Sequence, residues 1–272
     1  MYTENMNPII EQFNYLVTRY EYYMTRRDER TQYWPLLNRP HEMLSLVFGY
    51  LIMVYIGKRI MKNKKGLELQ YPLIFHNLIL LLISLYMTID IAYQAITNDY
   101  SLFCNPVDYG QKGLGMARVL YVFFFSKAIE FGDTAFMILR GKLNQVTFLH
   151  VYHHSTMLFL WWIGLNFAAG GDAYFSALIN SFVHVIMYGY YLLAALKYDV
   201  WWKKYLTQLQ LTQFFVVMIA AGFTIYYQCD FINWMQYALI AYMISMLVLF
   251  GMFYAKAYLS GGGARKPKSK TQ

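Results

Sequence analysis

Hydrophobicity in this chain comes in blocks rather than being spread along it. Apolar runs at 43–57, 72–96, 114–139, 146–165, 173–196, 206–227 and 234–255 each come close to the ~20 residues a helix needs to cross a bilayer. The fold expected is all-α, a multi-pass membrane domain of seven transmembrane helices. Polar residues dilute the 146–165 and 173–196 runs most. Only 14% of residues are charged, against roughly 25% in a soluble domain. Residues 1–42 are polar and lack a continuous apolar core, so no cleavable signal peptide is expected. The division that follows is an N-terminal segment (1–42), a membrane domain (43–257) and a basic tail (258–272).

The net charge of +8 is a topology signal before it is a partner signal, and no nucleic-acid partner is expected. Lys58, Arg59, Lys62, Lys64 and Lys65 follow the first run, Arg140 and Lys142 the third, and Lys197, Lys203 and Lys204 the fifth. Lys256, Arg265, Lys266, Lys268 and Lys270 follow the seventh. The alternate loops hold almost no Lys or Arg, which puts the C-terminus in the cytosol and, after seven spans, the N-terminus on the far side. Arg19, Arg26, Arg27, Arg30 and Arg39 oppose that placement by count alone. Cys104 and Cys229 fall in loops facing away from the cytosol, where an oxidising lumen favours a bridge between them.

Against this background, His150-Val151-Tyr152-His153-His154 places three imidazoles inside an apolar run. Residues three and four apart share a helical face, so all three point one way. Polar groups at membrane depth are costly unless paired or used. The other runs add Lys127, Glu130, Asp133 and Thr134; then Asn180, His184, Met187, Tyr188 and Tyr191; and then Thr207, Gln210 and Gln213. Counted from the basic end at ~1.5 Å per residue, Lys127, Glu130, His153, His184 and Gln213 lie ~14–20 Å deep. A shared depth implies one buried cavity reached from the cytosol. His41 and His76 lie outside this cluster.

Two chemistries suit such a site. His-x-x-His-His resembles the boxes of membrane di-iron desaturases and hydroxylases, but six histidines in all are few for two irons. A mononuclear site from His150, His153, His154 and His184 stays open. Alternatively, a neutral imidazole attacks an activated acyl group, and His184, Asn180 and Gln145 hold the carbonyl oxygen as charge develops on it. A cavity with a basic cytosolic rim suits an acyl-CoA.

Lys127-x-x-Glu130-x-x-Asp133-Thr134, Gln145-x-x-Phe148-Leu149-His150-Val151-Tyr152-His153-His154, Asn180-x-x-x-His184-x-x-Met187-Tyr188-x-Tyr190-Tyr191 and Thr207-x-x-Gln210-x-x-Gln213 resemble the four signature motifs of the eukaryotic very-long-chain fatty acid elongases. Arg30-x-x-x-Trp34-Pro35 resembles that family's N-terminal segment. The resemblance implies condensation of an acyl-CoA with malonyl-CoA, giving a 3-oxoacyl-CoA two carbons longer, carbon dioxide and CoA. It implies six helices forming a barrel around an acyl tunnel with the first helix outside, in the endoplasmic reticulum, and no metal or other cofactor.

Carried onto this sequence, His153 is the nucleophile, His150 and His184 orient the carbonyl, and His154 supports the site. Lys127, Glu130, Asp133, Gln145, Asn180, Tyr188, Gln210 and Gln213 shape it. The CoA head is expected among Lys142, Lys197, Lys203, Lys204, Arg265 and Lys266. Lys268-Ser269-Lys270-Thr271-Gln272 resembles a retrieval signal to the endoplasmic reticulum. Gln145 and Tyr152 resemble the polyunsaturated and very-long-chain subgroups. Membrane lipid and the reductase, dehydratase and enoyl reductase of the elongation cycle are the expected partners, and self-association is left open.

Overall fold

The structure, a computed structural model, describes residues 8–259. Among them there is no strand. The helices are α1 (Pro8–Met24), α2 (Pro40–Met61), α3 (Gln70–Thr97), α4 (Gly113–Ile129), α5 (Phe131–Leu139), α6 (Phe148–Phe167), α7 (Ala173–Ala195), α8 (Lys203–Tyr226) and α9 (Asn233–Tyr254). A 3-10 turn, Leu143–Gln145, precedes α6, and a π-turn, Ala255–Leu259, ends the described chain.

Each apolar run becomes helix, with two differences. Among the described residues α2, α3, α7, α8 and the stretch Asn233–Leu259 are long and apolar enough to cross a membrane. The 173–196 run, expected to be weak, is one of these five. The 114–139 run is not, because it breaks at Glu130 into a helix of 17 residues and one of 9. Three histidines similarly dilute α6. The second difference is α1, which forms within a segment read as merely polar. Pro40 starts α2, since its fixed φ suits a first helical turn and its missing N–H is not needed there. Helix therefore begins before the expected boundary at 43, and at the other end the π-turn runs past 257. Arg265, Lys266, Lys268 and Lys270 lie outside the described residues.

The basic loops meet at one end of the molecule. Leu67 N donates to Leu139 O at 2.9 Å, Gln70 Nε2 to Ala195 O at 3.3 Å and Lys58 Nζ to Val146 O at 3.2 Å. Gly66 approaches Arg140 so closely that a Cβ there would collide with its carbonyl. At the opposite, lysine-poor end Cys104 is joined to Cys229 by a disulfide, closing 125 residues. Asp172, at the start of α7, accepts from Cys104 N (3.1 Å), Asn105 N (2.7 Å), Asn105 Nδ2 (2.8 Å) and Thr224 Oγ1 (2.7 Å). One carboxylate thus ties the α3–α4 loop and the last turns of α8 to the start of α7.

Two of the five arginines that opposed the topology are accounted for here. Arg27 donates to the carbonyls of Met24, Leu37 and Asn38. Arg30 pairs with Asp28 at 2.6 Å and donates to Ala169 O and Asp108 O. Guanidiniums bound to backbone and carboxylate are structural, and a count of charges cannot distinguish them from free ones.

Between the two ends α3 packs on α4 and α7, α7 on α8, α8 on α9, α9 on α6, and α6 on α4. α2 lies outside this circuit against α5 and α6. Phe123, Phe124, Leu158, Leu165 and Met246 fill the interior. Lipid tails are as apolar as these side chains, so close packing and interhelical hydrogen bonds hold such an interior together.

Candidate active site

Lys127 and Glu130 stand one turn apart at the end of α4, each 2% exposed. Lys127 Nζ donates to Glu130 Oε1 at 2.7 Å and to Asn180 Oδ1 at 3.3 Å, and lies 4.3 Å from the Phe123 ring centroid. The pair bridges α4 to α7. The helix breaks where this ion pair sits, and α5 then presents Asp133 and Thr134 to other helices. Tyr188 OH donates to Asp133 Oδ2 at 2.8 Å, while His76 Nε2 meets Asp133 Oδ1 at 2.9 Å. His76 is therefore part of the polar cluster, contrary to the expectation that it lies apart. The approach depends on Gly132, whose Cβ, were there one, would stand 2.6 Å from His76 Cε1. His41 is exposed at the start of α2, outside the cluster.

α6 starts at Thr147, whose hydroxyl accepts from His150 N at 3.2 Å, a standard helix cap. This sets the phase of the three histidines. His150 Nε2 lies 2.7 Å from Thr134 Oγ1, which is 3.1 Å from Tyr50 OH on α2. The His154 ring is 4.4 Å from that of His150 and 5.5 Å from that of His153, between centroids. His184, on α7, donates from Nδ1 to Asn180 O at 2.8 Å, since a carbonyl only accepts, and turns Nε2 toward Glu130 Oε2 at 3.8 Å.

His153 has a different partner. Its Nδ1 lies 3.3 Å from Tyr242 OH, which is 3.0 Å from Thr156 Oγ1. Thr156 in turn donates to Tyr152 O at 2.6 Å. One ordering of protons satisfies the whole chain: Nδ1–H donates to Tyr242, Tyr242 to Thr156, and Thr156 to the carbonyl. That ordering leaves His153 Nε2 as an unprotonated lone pair.

His153 also lines a cavity enclosing about 1000 Å³ together with its mouth. Asn180 and Gln213 share its polar end, and the wall continues through Met157, Trp161, Phe214, Val217, Leu239 and Met243 to Trp234 and Gln236. From Tyr242 to Trp234 along α9, and from Asn180 to Asp172 along α7, it runs about 12 Å at ~1.5 Å per residue. The sequence implied a buried cavity reached from the cytosol and left its direction beyond the polar layer open. The cavity extends toward the disulfide. Of the four imidazoles, His153 alone belongs to its lining.

Two motif residues sit elsewhere than expected. Gln145 is exposed in the 3-10 turn ahead of α6, because the helix starts after it, so it is not a donor beside the histidines. Gln210 Nε2 donates to Met187 Sδ at 3.6 Å rather than to a histidine. Lys142, Lys197, Lys203 and Lys204 are exposed at the basic end. Tyr242, Thr156 and Tyr50 were not singled out in the sequence. In a chain with 27 tyrosines, one more inside an apolar helix carries no signal until its partner is known. Among the described residues no three His, Cys, Asp or Glu side chains are grouped as metal ligands.

The sequence profile of the GNS1/SUR4 family matches residues 35–268. The chain is 41% identical over 273 residues to very long chain fatty acid elongase 4 of Mus musculus, covering 98% of this chain and 87% of the relative. It is 39% identical over 252 residues to very long chain fatty acid elongase 5 of Tachysurus fulvidraco, covering 91% and 86%. Against elongase 5 of Homo sapiens the identity is 39% over 258 residues, covering 92% and 85%. A helical membrane chain with this histidine cluster and full-length likeness to elongases belongs to the GNS1/SUR4 (ELO) family, and is a fatty acid elongase, a condensing acyltransferase.

Proposed function

We propose that this elongase joins a long-chain acyl-CoA to malonyl-CoA through an acyl-histidine on His153. The observation that carries the reading is the proton chain from His153 Nδ1 through Tyr242 to Thr156, beside an apolar cavity. His153 Nε2 adds to the thioester carbonyl, the C–S bond breaks, and CoA leaves as thiolate. Loss of the Nδ1 proton gives a neutral acyl-imidazole and CoA thiol. Malonyl-CoA then loses carbon dioxide, and its α-carbon attacks the acyl carbon. The expelled imidazolide regains its proton at Nδ1, which leaves Nε2 free again, and a 3-oxoacyl-CoA two carbons longer departs. His150 and His184 orient the carbonyl and His154 supports the site, with Lys127, Glu130, Asp133, Asn180, Tyr188 and Gln213 holding it in shape. The reaction as written needs no metal or other cofactor.

The acyl tail lies in the cavity toward the lysine-poor end, and the CoA head among Lys142, Lys197, Lys203, Lys204, Arg265 and Lys266 at the other, where phosphates find fixed cations. Seven spans follow: α2, α3, the α4–α5 pair, α6, α7, α8 and α9, with all but α2 surrounding an acyl tunnel. The closed circuit of helix contacts supports this arrangement. The basic end faces the cytosol and the disulfide end the lumen of the endoplasmic reticulum, with Lys268 and Lys270 as a retrieval signal. The reductase, dehydratase and enoyl reductase complete the cycle on the product. Substrates of the very-long-chain class fit the names of the relatives, and Gln145 with Tyr152 favours polyunsaturated ones among them.

The test is His153→Ala, assayed in microsomes with labelled malonyl-CoA and several acyl-CoA primers. Incorporation should fall to background while the protein remains in the membrane. A variant that still elongates would remove His153 as nucleophile.

A further inference from the structure

We propose that α1 is an interfacial helix lying on the membrane surface at the lysine-poor end, with Phe13, Leu16, Val17 and Tyr20 seated in lipid. These residues recur at helical spacing and form a single stripe, while Glu11, Thr18 and Tyr22 lie on the opposite face. No residue of α1 is buried, and Phe13 is 63% exposed. A helix of 17 residues that packs on the core at its last residue, Met24, while its apolar stripe stays exposed is marginal in water, so the stripe calls for a partner.

The point of attachment identifies the partner. Just beyond α1, Asp28 N donates to Asn166 O at 2.6 Å and Thr31 Oγ1 to Leu165 O at 2.7 Å, both at the last turn of α6. Arg27 Nη1 donates to Asn38 O at 2.8 Å, immediately ahead of α2. α1 thus leaves the protein at the level where two helices of the bundle meet the membrane boundary. The first turns of α2, just beyond that point, carry the exposed apolar side chains Leu46, Phe48 and Leu51. Tyrosine suits that boundary, having an apolar ring and a polar tip. Arg26 lies 4.4 Å from the Tyr22 ring centroid and Arg19 5.1 Å from that of Tyr23. α1 carries Glu11, Arg19 and Glu21, so it has no excess of cations to seek anionic headgroups. The attraction is apolar burial.

The experiment uses the full chain in phosphatidylcholine nanodiscs. Since the native cysteines are bonded to each other, single cysteines at Phe13, Leu16, Glu11 or Thr18 can carry a nitroxide. The ratio of oxygen to nickel-chelate collisions should be about tenfold higher at 13 and 16 than at 11 and 18, as burial of one face to ~5–10 Å requires. Adding anionic lipid or high salt should leave the contrast unchanged. Equal nickel access on both faces would overturn the proposal, as would shielding of 13 and 16 from both reagents, which would mean a protein covers the stripe. In the unaltered protein, slow amide hydrogen exchange across α1 is expected, and exchange at the rate of a free peptide would equally refute it.

Discussion

Lys127 and Glu130 have the most to lose from a single substitution. A charge left alone after its buried partner is removed costs about 3–5 kcal/mol. Lys127→Met should therefore lower stability by that amount, measured as thermal loss of folded protein in detergent, and Lys127→Met with Glu130→Gln should recover much of it. Equal damage from the single and double variants would show that the pair is not the stabilising unit. Tyr242→Phe separates position from chemistry. The ring still fills its place, but the hydroxyl that orients His153 is gone. Turnover should drop about tenfold or more with KM for acyl-CoA little changed, within the range for loss of a positioned proton-transfer partner. An unchanged turnover number would mean that the tautomer is held by something else.

At the scale of elements, the disulfide fastens the α3–α4 and α8–α9 connections beside the Asp172 cluster. Cross-linking across so long a loop contributes about 2–4 kcal/mol. Cys104→Ser should destabilise by that amount, and a reductant should do the same to the unaltered protein in a melting curve. Superimposable curves with and without reductant would show that the Asp172 hydrogen bonds alone hold that end. The break between α4 and α5 matters for the opposite reason. Just beyond it, α5 presents Asp133 to His76 and Tyr188 and Thr134 to His150. Nothing in the apolar pattern of 114–139 marks the break, because helical hydrophobicity is the same on both sides of it.

For the molecule as a whole, the proposed placement of the acyl tail makes the extent of the cavity the limit on chain length. Leu239→Trp places a larger ring in its wall, and product profiles by gas chromatography should shift toward shorter chains by at least one two-carbon addition. An unaltered profile would place the tail somewhere other than this cavity.

How much of this was legible beforehand varies with the kind of feature. The apolar runs that become helix follow from long-range composition, since a bilayer demands ~20 apolar residues and basic loops mark one side. The imidazoles and the Lys127–Glu130 pair stand out because ionisable groups are rare at membrane depth. Partners whose chemistry is common did not stand out. Tyr242, Thr156 and Tyr50 resemble dozens of unremarkable residues, and His76 looked solitary because Asp133 is far from it in the chain. The direction of the cavity was also hidden, since it depends on the gaps that packed helices leave and not on any one of them. The sequence by itself determined a helical membrane elongase and the layer at which its polar groups lie, because solvent alone sorts residues by depth. Which imidazole faces the open space, and which hydroxyl orients it, was decided only when helices distant in the chain were brought side by side.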